Sequence, residues 1–301
     1  MDAPLLEASR ARIDAGGVAV VDGLTLRTSG ERVLVLGAAR ALFEAASGLV
    51  PLTHGMLAVR GRSPLDGVRA GAVAGAPLDA PLPPDWSART YVTWSARLAG
   101  APAGASGGVT ARVDDALARM ELGAVADAKL ARATPALRRA TAIAAALATG
   151  ASIVLLEDPL ASLDDDAARH LARVTAAALE GRAWALFAPR VSLGSALTAA
   201  ADEAIVVVGS DVGAQGAPRE LAARDRRYAL EVHGDAAALI AALEAHGATV
   251  DAPRAATTAP RRLSRIVVDL ARDQTTRDLL AGAEAVGAVI VDLRPIARAF
   301  A

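Results

Sequence analysis

Short, uninterrupted apolar runs alternate along this chain with longer stretches in which apolar positions recur at helical spacing. Residues 153–156 read Ile-Val-Leu-Leu, which suits a strand buried on both faces of a parallel sheet. Glu157 and Asp158 follow this run, and Pro159 ends it. Residues 32–36, 72–75, 183–187 and 202–208 read as further core strands, and 56–61 as an edge strand. Residues 18–21 and 24–27 read as two short strands broken at Asp22-Gly23. Helices are expected over 87–100, 109–122, 125–133, 138–148, 165–179 and 193–201. The first of these carries Tyr91, Trp94 and Leu98 at helical spacing. Asp164 is a candidate N-cap, and Thr134 followed by Pro135 fits an N-cap with proline at the first helical position.

Past a charged hinge at 224–227 the pattern becomes strand, helix, strand, strand, helix, strand, ending near 289–293. That order predicts a small ferredoxin-like α+β unit over 228–301. The preceding residues 1–223 read as one α/β domain, with a helical subdomain at about 84–148. The small-residue linker at 101–108 and a Pro-, Thr- and Arg-rich loop at 252–263 punctuate the two parts.

Composition narrows the chemistry. The 301 residues are 53% apolar but only 3% aromatic, so helices are expected to pack closely through alanine. A net charge of −1 argues against a nucleic-acid surface or a polybasic anchor. Cysteine is absent, which removes disulfides and thiolate metal sites. His54, His170, His233 and His246 are scattered rather than spaced as ligands. No run reaches the length of a membrane span, and the N-terminus lacks a basic-then-apolar signal, so a cytoplasmic protein is expected. Lys129 is the only lysine.

Residues 152–164, Ser-Ile-Val-Leu-Leu-Glu-Asp-Pro-Leu-Ala-Ser-Leu-Asp, resemble the Walker B strand and D-loop of ATP-binding-cassette (ABC) ATPases. The acid pair is inverted relative to the family's Asp-Glu. The resemblance extends in order along the chain, while each phosphate-binding motif departs from its pattern. Where the family has a P-loop, whose glycines, Lys and Ser/Thr hold phosphates and Mg²⁺, this chain reads Gly37-Ala-Ala-Arg40-Ala-Leu. Gly37 and Gly48 stand eleven positions apart, roughly four short of the loop and helix that motif needs. Arg40 is the one residue there that could receive an anion at a helix N-terminus. No glutamine follows residue 75, since Gln215 and Gln274 are the only two in the chain. The family's signature Leu-Ser-Gly-Gly-Gln falls on Ala133-Thr134-Pro135-Ala136-Leu137. Pro135 lacks a donor there and Ala136 adds a Cβ. No switch histidine follows 183–187, and no aromatic within residues 1–36 could stack on adenine. Residues 215–221 resemble the family's closing turn. The tail at 293–300 resembles that of C-terminal domains on ATPases of ABC-2 exporters.

The resemblance implies an ABC-ATPase-like, P-loop NTPase-type α/β domain with a mixed sheet and a helical subdomain. It further implies a degenerate subunit with no catalytic residue and no cofactor. Glu157 and Asp158 would be the remnants of the catalytic acids, Gly37 and Arg40 of the P-loop, and Thr134 and Pro135 of the signature. The expected partners are an intact ABC ATPase subunit and a membrane permease, which would hold the chain at the inner face of the cell membrane. Tyr91, Trp94, Ser162 and Asp164 are the candidate contact residues. Two other readings stay open. One is a divergent active ATPase that uses Glu157 for Mg²⁺ and Asp158 as base. The other is a soluble scaffold that has left transport.

Overall fold

The computed structural model describes residues 3–100, 108–208, 211–224, 227–251, 264–271 and 273–295. The linker at 101–107, the loop at 252–263 and the tail beyond Pro295 lie outside the described residues. The chain divides into two compact units, Met1–Pro218 and Arg219–Ala301.

The first unit opens with β1 (Leu6–Ala15), β2 (Val18–Arg27) and β3 (Arg32–Leu36), then α1 (Ala39–Ala46) and β4 (His54–Val59). Then come α2 (Pro64–Arg69), β5 (Val73–Ala76), α3 (Ala88–Leu98), α4 (Gly108–Arg119) and α5 (Pro135–Ala148). It continues through β6 (Ile153–Glu157), α6 (Asp165–Ala178), β7 (Ala183–Ala188), α7 (Ala196–Ala200), β8 (Glu203–Val208) and β9 (Asp211–Gly216). Helix α8 (Pro218–Arg224) follows. Among the described residues, six strands form one sheet in the order β5-β6-β7-β3-β8-β9, parallel except for β9. A second, antiparallel sheet has the order β2-β1-β4.

Odd-numbered residues of the parallel strands, such as Val33, Val35, Leu155, Phe187 and Ile205, pack with α1 and the antiparallel sheet in one core. Alternation turns Leu34, Leu36, Val154, Leu156, Trp184 and Leu186, all buried, to the opposite face. Burial on both faces is why these strands read as unbroken apolar runs. Helix α1 lies between the two sheets and buries Ala39, Ala41, Leu42, Phe43, Ala45 and Ala46. Phe43 meets Phe187 edge-on at 6.0 Å between ring centroids. Burying a side chain of this size stabilises the core by roughly 2–3 kcal/mol.

Several elements differ from the sequence expectation. β1 was not expected, because Leu-Glu-Ala-Ser-Arg-Ala-Arg-Ile-Asp-Ala keeps no clean alternation. The ladder to β2 takes register shifts between Ala8 and Ala11, Ala11 and Arg12, and Ile13 and Asp14. Those shifts let β2 run unbroken through Asp22-Gly23, where two strands were expected; Gly23 supplies a φ of +87°. Residues 125–133 form no helix but two 3₁₀ turns, Gly123–Val125 and Leu130–Arg132. There the Leu130 and Ala131 N–H groups donate to the carbonyls of Trp86 and Pro84. Pairing with another segment thus replaces the helical ladder. α2 was also unforeseen, although Ser63 caps it and Pro64 opens it.

The second unit contains β10 (Arg227–His233), α9 (Ala236–Ala245), β11 (Thr249–Asp251), β12 (Ser264–Asp269), α10 (Thr276–Ala285) and β13 (Val289–Pro295). Its antiparallel sheet has the order β11-β12-β10-β13, which is the ferredoxin-like split βαβ topology. Leu230, Val232, Ile266 and Val268 face Leu239, Leu243, Leu279 and Ala283 of the two helices in its core.

Candidate nucleotide site at the sheet edge

Strands β5, β6, β7 and β3 run parallel and end at one edge, at Ala76, Glu157, Ala188 and Leu36. Ligands of open α/β sheets bind outside such an edge. Between β3 and α1 only Gly37 and Ala38 intervene. Gly37 has φ +113°, and a Cβ on it would lie 2.0 Å from the Val207 carbonyl oxygen. The Gly37 N–H donates to the Ala188 carbonyl, and the Ala39 N–H to the Gly37 carbonyl. Two amides of this turn are therefore engaged within the chain. Gly48, just past the C-terminal end of α1, has φ +69°.

Arg40 is exposed on the first turn of α1. Its Nε lies 3.0 Å from Oε1 of Glu44 and 4.0 Å from Oε1 of Glu157. The hydrogen bond to Glu44, and then the charge of Glu157, hold its pKa above the ordinary arginine value. Glu157 is the last residue of β6 and is only 7% exposed. Its Oε2 accepts from the Leu78 N–H at 3.0 Å, in the loop after β5. Asp158 has φ +35°, rare for a residue other than glycine. Its N–H donates to the Phe187 carbonyl at 2.8 Å. Burial pushes the Asp158 carboxyl above its usual range; the Arg139 guanidinium pulls it down, and Glu157 pushes it up again.

Thr134 is the N-cap of α5. Its hydroxyl accepts from the Leu137 N–H at 3.3 Å, with Pro135 at the first helical position. Ser162 is exposed at φ +55°. Asp164 caps α6, its Oδ1 accepting from the Ala167 N–H at 2.8 Å. The sheet edge thus gathers Gly37, Arg40, Glu157 and Asp158. Thr134 and Pro135 start α5, and Ser162 and Asp164 lie on the turn that leaves β6.

Tyr91 and Trp94 sit on α3. Trp94 meets Trp86 edge-on at 5.7 Å and Tyr91 at 6.1 Å. It is 46% exposed and Leu98 is 66% exposed, so this aromatic cluster lies on the surface. Next to it, an open cleft of about 510 Å³ runs between α3, α5, β5 and the end of α1. Phe43, Leu49, Val68, Tyr91, Leu98 and Ser47 are among its lining residues.

Reading the sequence missed Arg139, Leu78 and Asp79 at this edge, because Leu78 and Arg139 act on the acids, and Asp79 on Arg40 and Arg139, from distant segments of the chain. It also missed the role of Gln215. Its Nε2 donates to Glu203 Oε1 at 2.7 Å, and Glu203 also accepts from Ser29 and from the Gly30 N–H. These bonds tie the turn before β3 to β8 and β9.

The first unit combines a parallel nucleotide-type sheet, an antiparallel edge sheet and a helical layer. Among solved structures, the chain is similar to CbiO1 from Clostridium perfringens, described as part of the ABC transporter complex CbiONQ. That match has a TM-score of 0.60 and 17% identity, and covers 73% of this chain and 91% of that one. The fold is that of an ATP-binding-cassette ATPase. A second cassette match, MJ1267 in its ADP conformation, has a TM-score of 0.60 at 13% identity, covering 73% of this chain and 94% of that one. A bacterial Atm1-family ABC exporter with ATP bound matches at a TM-score of 0.57 and 19% identity, covering 74% of this chain and 40% of that one. No family model matches the sequence and no curated protein matches it. Among the described residues no group of three His, Asp or Glu side chains is placed to hold a metal ion. Among the described residues no helix is long and apolar enough to cross a membrane.

Proposed function

We propose that this chain is a cassette-fold subunit that does not hydrolyse ATP and that docks on a membrane permease beside an intact ATPase. The observation that carries the proposal is the two-residue turn Gly37-Ala38 between β3 and α1. Phosphoryl transfer depends on positioning the phosphates and neutralising their charge. A loop that wraps a triphosphate needs several free amides and a cation. Here the amides of Gly37 and Ala39 already have partners, and Arg40 is paired with Glu44. The acids at the end of β6 face arginines of their own chain. On this reading the residues present do not fit Mg-ATP.

The docking half of the proposal is supported by α3 and the cleft beside it. Exposed Trp94 and Leu98 flank a concave apolar surface, and aromatic anchors beside such a surface are typical of interfaces. CbiO1 is described as part of a transporter complex, and a permease partner for this chain follows from that likeness as part of the proposal. The ferredoxin-like unit is taken as the appended domain of an ABC-2-type subunit. The chain would then sit at the inner face of the cell membrane, held there by the permease.

Two measurements test the reading. Titration calorimetry of the full chain with Mg-ATP should give no saturable heat up to about millimolar nucleotide. A one-to-one isotherm in the micromolar range would favour the divergent ATPase. Affinity purification from detergent extracts should recover a multi-span membrane protein and a second cassette ATPase. Recovery of the chain alone would favour the scaffold.

A further inference from the structure

The cleft between α3, α5, β5 and the end of α1 holds about 510 Å³, within the usual size of small-molecule sites. Small residues make the room. Ala142, Ala145 and Ala146 of α5 line one side, and Gly75 of β5 lines another. The backbone of Gly75 is outside the left-handed region, so its φ does not call for glycine. A Cβ there would stand 3.1 Å from Ser47 Oγ and 3.4 Å from Phe43 Cζ, so the missing side chain keeps the floor open. Two polar groups in the lining have no use within the fold. Ser47, which ends α1, is only 9% exposed, and its Oγ has no hydrogen-bond partner among the described residues. Buried hydroxyls are normally hydrogen-bonded. Arg69, the last residue of α2, is exposed and is the only charged residue among those that line the cleft. Among the described residues it makes no ion pair. Leu49, Val68 and Leu98 complete the mouth as exposed apolar side chains.

We infer that this cleft binds a small amphiphile: a fatty-acid-type carboxylate with a hydroxyl or carbonyl oxygen towards its far end. The Arg69 guanidinium takes the carboxylate at the mouth, a pairing for which its fork of donors is suited. The alkyl body covers Phe43, Tyr91 and the alanine side of α5, and its burial supplies most of the affinity. The far oxygen gives Ser47 Oγ the partner that the chain does not. A neutral hydrocarbon would leave both polar groups unused, and a cationic amphiphile would meet Arg69 with like charge. On the docking proposed above, such a ligand and the permease would compete for one surface. The ligand site itself does not depend on that reading.

Titration calorimetry on the full chain tests this with three probes: ω-hydroxydecanoate, decanoate and the decanediol with a hydroxyl at each end. ω-Hydroxydecanoate should bind one-to-one with a dissociation constant below about a millimolar, and each of the other two should bind more weakly. Arg69→Gln, a change at an exposed position, should weaken ω-hydroxydecanoate roughly tenfold and leave the diol unchanged. Ser47→Ala should bring ω-hydroxydecanoate to the level of decanoate and leave decanoate unchanged. Trp86, Trp94 and Trp184 are the only tryptophans and all lie in the first unit, so their fluorescence in urea should show that both variants keep that unit folded. The comparison of the probes on the wild type needs no variant at all. Absence of saturable heat with ω-hydroxydecanoate up to several millimolar would overturn the site. So would equal affinities for the three probes, or an Arg69→Gln effect below about twofold, since either reduces the cleft to a bare apolar surface.

Discussion

Gly37 closes against Val207: a Cβ on the glycine would stand 2.0 Å from the Val207 carbonyl oxygen, on a backbone at φ +113°. The glycine that follows β3 thus serves the packing of β3 against β8. Gly37→Ala should destabilise the first unit by roughly 3 kcal/mol or more, through steric overlap and left-handed strain together. Urea denaturation followed by tryptophan fluorescence checks this. A loss below about 1 kcal/mol would mean that the turn relaxes freely and that the close approach is unimportant.

Trp94 belongs to the surface of α3, not to its core. Trp94→Ala should cost no more than about 1 kcal/mol of stability, the worth of its contacts with Trp86 and Tyr91. On the proposed docking, the variant should nevertheless lose the membrane partner in detergent pull-downs. Val92, fully buried on the same helix, is the control: Val92→Ala should destabilise by about 2 kcal/mol. Retention of the permease by the Trp94 variant would move the interface elsewhere.

Asp158 combines a strained backbone with a half-buried carboxyl whose pKa burial raises, and substitution can separate the two. Asp158→Gly and Asp158→Ala both remove the carboxylate, but only glycine accepts φ +35° without strain. The glycine variant should be the more stable by about 1 kcal/mol. Equal urea midpoints would show that the turn changes conformation once the side chain is gone.

The Glu203 carboxylate ties the stability of the first unit to pH. Burial alone would raise its pKa. The hydrogen bonds from Gln215, Gly30 and Ser29 outweigh that and hold it below the ordinary 4.5. A depressed folded pKa contributes stability that is fully present above 4.5 and is lost as the pH falls through the lower folded value. Urea midpoints measured from neutral pH downward should therefore fall below about pH 4.5 in the wild type. Glu203→Gln should be less stable at neutral pH and lose less on acidification. Parallel curves for the two proteins would remove Glu203 from the acid response.

What could be read from the chain alone is what is encoded locally. Ile153–Glu157 is buried on both faces, so its apolar run announces a parallel core strand. Thr134-Pro135 and Asp164 cap α5 and α6 through bonds only three residues long, and such caps are visible in a short window. The eleven-position spacing of Gly37 and Gly48 is likewise a matter of counting. The rest was decided by distant partners. β1 becomes a strand because bulges let an irregular sequence pair with β2 and β4. Residues 125–133 lose their helix to the backbone near Trp86. Arg139 and Asp158 are nineteen positions apart, and Glu203 meets Ser29 across 174. No local pattern marks which charged side chains will meet, because that depends on which segments the sheet brings to one edge. For the same reason, helical spacing of Tyr91, Trp94 and Leu98 fitted a core face and a surface face equally. Only the packing of α3 against α4 and α5 turned Val92 and Ala96 inward and left Trp94 and Leu98 beside an open cleft.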